Sequence, residues 1–383
     1  MVIVTTKSGG NKKAEINIDY KTGVANLIKD DRDFGYASTT QFLSIVKEAR
    51  KNAGISEDWD PYDVLHVNAD YVKPITLAEA QSINNDWFNK FRRQGSYQDV
   101  NLSLANGSEK GSVFFSANYR DQKGVVLRDN LTKYSARLNA DFLPNNYILL
   151  GTRMNVIYNV GEKGNTTRIW PWMPFYDSND GSGYWNVHAN TLAQKDPKYS
   201  MNKNETLRGI GGVYTEVKIP FVNGLSIRSE GSFDFIQRNN SNWTSEIIRS
   251  LSEPNNGSSA GESTNLDRTI NYNIYFKYNH SIDKHTIIAT GGTESTRSNG
   301  YFRRFGAQYL LGSYQELGHD PGKMNYMEGR QTFEDNLRSY FGRADYKYNE
   351  KYLLGISLRR DGSSRFNPNT GGALLRLIRL GGL

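Results

Sequence analysis

The chain has 383 residues, with 47 Lys and Arg against 40 Asp and Glu, no cysteine, 36 glycines, 24 Tyr, 17 Phe and 6 Trp. The missing cysteines exclude disulfides, thiolate metal sites and cysteine nucleophiles together, and no stretch approaches the roughly 20 apolar residues of a membrane-spanning helix. The net charge of +7 is spread along the chain rather than gathered into a basic block, which argues against a nucleic-acid binder.

A mean hydropathy of −0.66 suits a soluble protein and equally a transmembrane β-barrel, whose strands alternate polar and apolar residues. The opening Met1-Val2-Ile3-Val4-Thr5-Thr6-Lys7 lacks the regions of a signal peptide. Either the chain stays in the cytoplasm or its true beginning lies upstream. Residues 39–50 carry apolar side chains at helical spacing and a basic end followed by Gly54, which predicts a short amphipathic helix between the first two strands.

From there period two dominates. Ala136-Arg137-Leu138-Asn139-Ala140-Asp141-Phe142 alternates apolar with polar residues, as do residues 225–228, 270–274, 337–348 and 354–359. Several such runs last about 9 to 12 residues, enough for a tilted strand to cross hydrocarbon. Short links at 106–111, 144–146, 220–224, 281–284 and 349–351 alternate with long ones at 121–132, 159–208, 238–266 and 295–335. Outer-membrane barrels have this asymmetry, with tight turns at one end and long loops at the other. The fold predicted is therefore all-β, a transmembrane antiparallel barrel. Its lumen-facing polar candidates are Arg137, Asn139, Asp141, Arg343 and Asp345. Tyr119, Tyr134, Tyr147, Tyr158, Phe235 and Tyr278, near strand ends, suit the girdles where a ring sits between lipid and water.

Chemistry-bearing motifs are sparse. None of His66, His188, His280, His285 and His319 pairs at metal-ligand spacing, and no phosphate-binding loop is present, so neither a metal nor a cofactor is expected. Nothing nominates an acidic pair for hydrolysis, and the chain reads as a non-enzyme. The best ligand candidates lie in an aromatic loop containing Trp170, Trp172, Phe175, Tyr176, Tyr184 and Trp185. Two readings are open for it: rings that stack on a sugar or stem a peptide, or rings that pack the loop on itself, the barrel wall or a lid subunit.

Residues at both ends carry a resemblance. Val2-Ile3-Val4-Thr5-Thr6-Lys7-Ser8-Gly9, Asn85-Asp86-Trp87-Phe88, Asn101-Leu102-Ser103-Leu104, Tyr119-Arg120-Asp121-Gln122-Lys123-Gly124 and Arg359-Arg360-Asp361-Gly362-Ser363-Ser364-Arg365-Phe366 are similar, in order, to stretches of the SusC/RagA family of TonB-linked outer-membrane transporters. The resemblance implies that residues 1–10 end a plug domain and that 11–369 form the first half of a barrel with long extracellular loops. About eleven strands are countable, against the 22 of such transporters. It further implies import of oligosaccharides or peptides, a SusD-like lipoprotein lid, and energy from the TonB complex, whose contact segment has no counterpart here.

Residues 370–383 lack both strand alternation and the family's continuation, and synonymous codons allow a frameshift after Asn369 to explain them. The gene's nucleotide sequence tests that expectation. The competing reading of the whole chain is a soluble or surface β-sheet protein that binds glycans through Trp170, Trp172 and Trp185.

Overall fold

A computed structural model of the chain describes residues 13–27, 37–56, 76–163, 170–175, 196–245, 258–310, 324–366 and 372–382. Twelve strands form one antiparallel sheet: β1 (Glu15–Ala25), β2 (Gly95–Ser108), β3 (Gly111–Lys123), β4 (Asn130–Phe142), β5 (Ile148–Glu162), β6 (Ser200–Lys218), β7 (Leu225–Thr244), β8 (Ser258–Ile282), β9 (His285–Leu310), β10 (Met324–Tyr348), β11 (Tyr352–Ser363) and β12 (Gly372–Gly382). Each strand pairs only with its neighbours in sequence, so the sheet is an up-and-down meander with β1 and β12 as its edges. It is an incomplete barrel rather than a closed one. The strands are one more than the sequence suggests, because residues 372–382 pair with β11 from Tyr352↔Gly382 to Gly362↔Gly372 despite lacking alternation.

Among the described residues of the connection between β1 and β2 are three helices: α1 (Thr39–Asn52), α2 (Leu77–Ser82) and α3 (Trp87–Lys90). Helix α1 matches the predicted helix. Its N-terminus is closed by a capping box in which Ser38 accepts from the Gln41 amide and Gln41 reaches back to Ser38, with Arg50 and Lys51 in the last turn. It meets α2 along a small contact, where the Thr39 amide donates to Asn84 Oδ1 at 3.0 Å.

The register sorts side chains into two faces. One continuous row reads Ile18, Leu102, Ala117, Ala136, Val156, Gly209 and Phe235 across β1 to β7, and another reads Ile16, Leu104, Phe115, Leu138, Met154, Gly211 and Phe233. This face is apolar and bare: Ile18 is 71% exposed, Ile270 61% and Val213 54%. The opposite face is polar, and Phe114, Asn139, Ser226 and Ser339 are buried on it, whereas Ser258, Ala260 and Ala307, near the long-connection ends of β8 and β9, are buried on the side of the apolar rows beside Trp243. A compact soluble sandwich would hide the apolar face and wet the polar one. Here the apolar face is bare and the polar one half-exposed.

Aromatic ladders bound the apolar band. Tyr119 and Tyr134 lie 5.2 Å apart and Tyr134 and Tyr158 6.5 Å apart at its long-connection end. Tyr348 stacks on Tyr352 at 6.4 Å at the other. Turns at that end are tight. Asn349 and Glu350 take φ of 49° and 54°, and Gly224 takes +84°, where an added Cβ would collide with the Asn279 carbonyl. At the long-connection end β7 to β10 run 20 to 26 residues, far beyond the alternating segments. Much of what the sequence assigns to loops at 238–266 and 295–335 is therefore paired strand. Beyond the apolar band pairing continues with polar residues on either side, and period two disappears.

Candidate functional site: a polar face and an aromatic cluster

The predicted lumen residues share the polar face. Arg137 and Asn139 are neighbours on β4, opposite Asn155 and Arg153 of β5. Asp141 is held by β5 and β6: Arg153 Nη2 donates to its Oδ2 at 2.8 Å, and the Tyr214 hydroxyl donates to its Oδ1. Tyr214 in turn receives Arg153 Nη2 at 3.1 Å and lies 3.8 Å beneath the Arg228 guanidinium. Arg228 bridges Glu216 at 3.5 Å and Glu230 at 3.3 Å, and Lys277 reaches Glu216 at 3.7 Å. The network thus ties β4, β5, β6, β7 and β8 together on one side. Gly151 makes it possible, because Tyr214 lies where a Cβ would stand, its Cε1 2.6 Å from that position.

Beside this network lies a depression of about 420 Å³, lined among others by Arg153, Tyr214, Arg228, Glu230, Asp234 and Asn271. Arg343 and Asp345 lie two apart on β10 and pair through Nε and Oδ2 at 2.6 Å. Arg359 on β11 joins Glu294 at 3.3 Å, Asp361 at 2.8 Å and Ser339 Oγ at 3.0 Å. Charges alternate in sign throughout, so the face is hydrated and patterned rather than a field of one sign. Arg153, Tyr214 and Arg228 were not singled out in the sequence. The alternation at residues 225–228 placed Arg228 on a polar face, but nothing local announced its partners on β6.

The aromatic loop is divided. Trp172 is fully buried and Met173 nearly so, whereas Trp170 and Phe175 are half-buried. The packing partner is α3: Trp87 Nε1 donates to the Met173 carbonyl at 3.0 Å and Asn85 Nδ2 to the same oxygen at 2.7 Å. Phe175 meets the Trp87 ring edge-on at 4.7 Å, and Lys90 lies 5.1 Å over Phe175. The Asn85 amide adds a bond to the Pro171 carbonyl at 2.7 Å. In this arrangement Trp172 anchors the loop, and the half-exposed rings are Trp170 and Phe175. Tyr176, Tyr184 and Trp185 lie outside the described residues, as does the segment 1–10. Trp87 was read only as part of a resemblance, since its partner lies more than 80 residues away.

The Arg359–Phe366 stretch has a structural role. Arg365 pairs through two nitrogens with the Asp335 carboxylate, holding that carboxyl below the usual aspartate range chiefly through its hydrogen bond. Ser364 closes the link by donating its amide to the Asn336 carbonyl and accepting the Asn336 amide, both at 2.9 Å.

No family model matches the chain. A TonB-dependent receptor of Formosa agariphila is 26% identical over 390 residues, covering 96% of this chain and 37% of that protein. The TonB-dependent receptor SusC of Bacteroides thetaiotaomicron is 25% identical over 406 residues, with 96% and 37% covered. Among solved structures, that of the RagAB peptide transporter superposes with a TM-score of 0.76 at 16% identity, covering 97% of this chain and 45% of that one. The structural likeness establishes the fold. The chain spans a little over a third of the length of these curated relatives.

Proposed function

We propose, on the premise that this chain is part of a SusC/RagA-type TonB-dependent receptor, that it forms one side of the barrel wall of an outer-membrane nutrient importer. One observation carries the reading. Across the sheet an exposed apolar face bounded by tyrosines backs onto a polar, hydrogen-bonded one, the arrangement that hydrocarbon outside and water inside require. Arg137, Asn139, Asp141, Arg343 and Asp345 would then line a wet lumen. The cargo class is an oligosaccharide or a peptide, taken up beneath a SusD-like lipoprotein lid, with release driven through the TonB complex. Trp170 and Phe175, half-buried in the cluster that holds Trp172 and Trp87, would be the rings that touch it.

The chain lacks cysteine, so single cysteines report cleanly. In lipid vesicles a spin label at Leu138→Cys should be quenched by dissolved oxygen, and one at Arg137→Cys by a water-soluble nickel chelate. The reverse pattern would refute the assignment of faces. The sheet itself has two unpaired edges, β1 and β12, and each unsatisfied backbone group in hydrocarbon costs several kcal/mol. This chain alone is therefore proposed to be incapable of transport, and specific uptake into vesicles containing it alone would overturn that.

A further inference from the structure

Where the apolar band ends toward the long connections, the next outward-facing residue differs sharply between two sectors of the sheet. Over β3 to β6 the positions beyond Tyr119, Tyr134, Tyr158 and Leu207 are Asp121, Thr132, Val160 and Glu205. Over β8, β10 and β11 they are arginines, Arg268, Arg338 and Arg360, and on β9 Arg297 follows Thr293 and Ser295 on the same face, directly opposite Ile270.

The register places them as a row. Arg268 is opposite Asn299, two residues from Arg297; Arg297 is opposite Asn336, two from Arg338; and Arg338 is opposite Gly362, two from Arg360. Each arginine is thus the diagonal neighbour of the next, a separation of about 7–8 Å between backbones. Every step descends in the same sense along the strands. Tilted barrel strands stagger positions of one height in this way, which brings the four side chains toward a common depth. The upper ends of the apolar band, Ile270, Tyr340 and Leu358, lie just beneath Arg268, Arg338 and Arg360.

All four arginines are exposed. Arg297 holds Glu334 at 2.8 Å and Arg268 donates to Asn299 at 3.1 Å. Among the described residues neither Arg338 nor Arg360 has an acidic partner. Four guanidinium groups accompanied by one carboxylate would repel one another without anions between them. Guanidinium forks match phosphate oxygens, and at this depth the anions available are lipid headgroups, whose acyl chains would cover the exposed residues beneath.

We propose that the outward face of β8 to β11 binds the phosphate-bearing headgroup of an outer-leaflet lipid. The inference rests on the assignment of the apolar face to lipid, and the test separates the two. The full chain in detergent micelles is titrated with dioleoyl phosphatidic acid or dioleoyl phosphatidylcholine, and bound lipid is counted by native mass spectrometry. Phosphatidic acid should be retained preferentially, and R338Q/R360Q should weaken it about thirtyfold, since each arginine near a membrane surface contributes about 1 kcal/mol. R343Q, on the opposite face, should leave retention unchanged and so reports any general loss of fold or charge.

Equal retention of the two lipids, or an R343Q effect as large as the double substitution, would overturn the proposal. So would displacement of phosphatidic acid by millimolar inorganic phosphate, which would make the site one for a free anion. A spin label at Leu358→Cys in vesicles reports the premise separately. Oxygen quenching there with no preference for phosphatidic acid defeats the headgroup site alone, whereas quenching by the aqueous chelate defeats both.

Discussion

Gly151 is a position at which the polar face is sensitive to a single methyl group. An alanine Cβ there would stand 2.6 Å from Tyr214 Cε1, well inside van der Waals contact, and the ring has to leave. Leaving breaks the hydroxyl's bond to Asp141 and its place beneath Arg228. A hydrogen bond to a charged partner is worth about 1.5–3 kcal/mol and a cation–π contact about 0.5–1 at exposed sites. With these groups half-exposed the lower values apply, so Gly151→Ala should cost about 2 kcal/mol, within the overpacking range of about 1–3. The measurement is urea unfolding of the chain in detergent micelles, run as a double-mutant cycle with Tyr214→Ala. Once the ring is gone the methyl has room and restricts the unfolded chain, so Gly151→Ala should then be neutral or stabilising by about 0.5 kcal/mol. Equal losses in both backgrounds would refute the argument, because the clash would not be the cause.

Other substitutions probe the rim. Trp87→Ala should destabilise the loop cluster by about 3–5 kcal/mol, read as faster hydrogen exchange at residues 170–175. Trp87→Phe should cost only about 1 kcal/mol, since Asn85 still donates to the Met173 carbonyl; equal exchange in the two variants would contradict the anchor role. Arg365 lowers the Asp335 pKa, so the pair supports the folded loop above the ordinary aspartate range and that support is lost as pH falls through the depressed native value. Exchange protection of the Ser364 amide should follow it down. Arg365→Gln should move the loss up toward the ordinary aspartate range, and an unmoved midpoint would show that the pair does not hold the loop.

What could be read from the residues follows from where water lies. Between Tyr134 and Phe142 one side of β4 is apolar and the other polar, and Arg137, Asn139 and Asp141 fall on the polar side as the alternation indicates. Beyond Arg268 and Arg297 neither side needs to be apolar, and pairs such as Asn240 with Ser263 continue the ladder without a pattern. Strand β12 joins because the edge of β11 offers backbone groups, which need no alternation from their partner. Helix α1 was visible from its spacing, whereas α3 is only 4 residues long and too short to show a period. Contacts such as Trp87 with Met173, or Asp141 with Tyr214, depend on segments brought together by the sheet and leave no local trace.

The ladders of β8 with β9 and of β9 with β10 run from the tight turns well past the tyrosine belt with few interruptions. A ribbon knitted in this way flexes out of its plane but resists stretching along its strands and sliding between them. The long-connection end of these strands is consequently a stiff palisade continuous with the sheet below. A force applied at the palisade's crest would be felt at its foot.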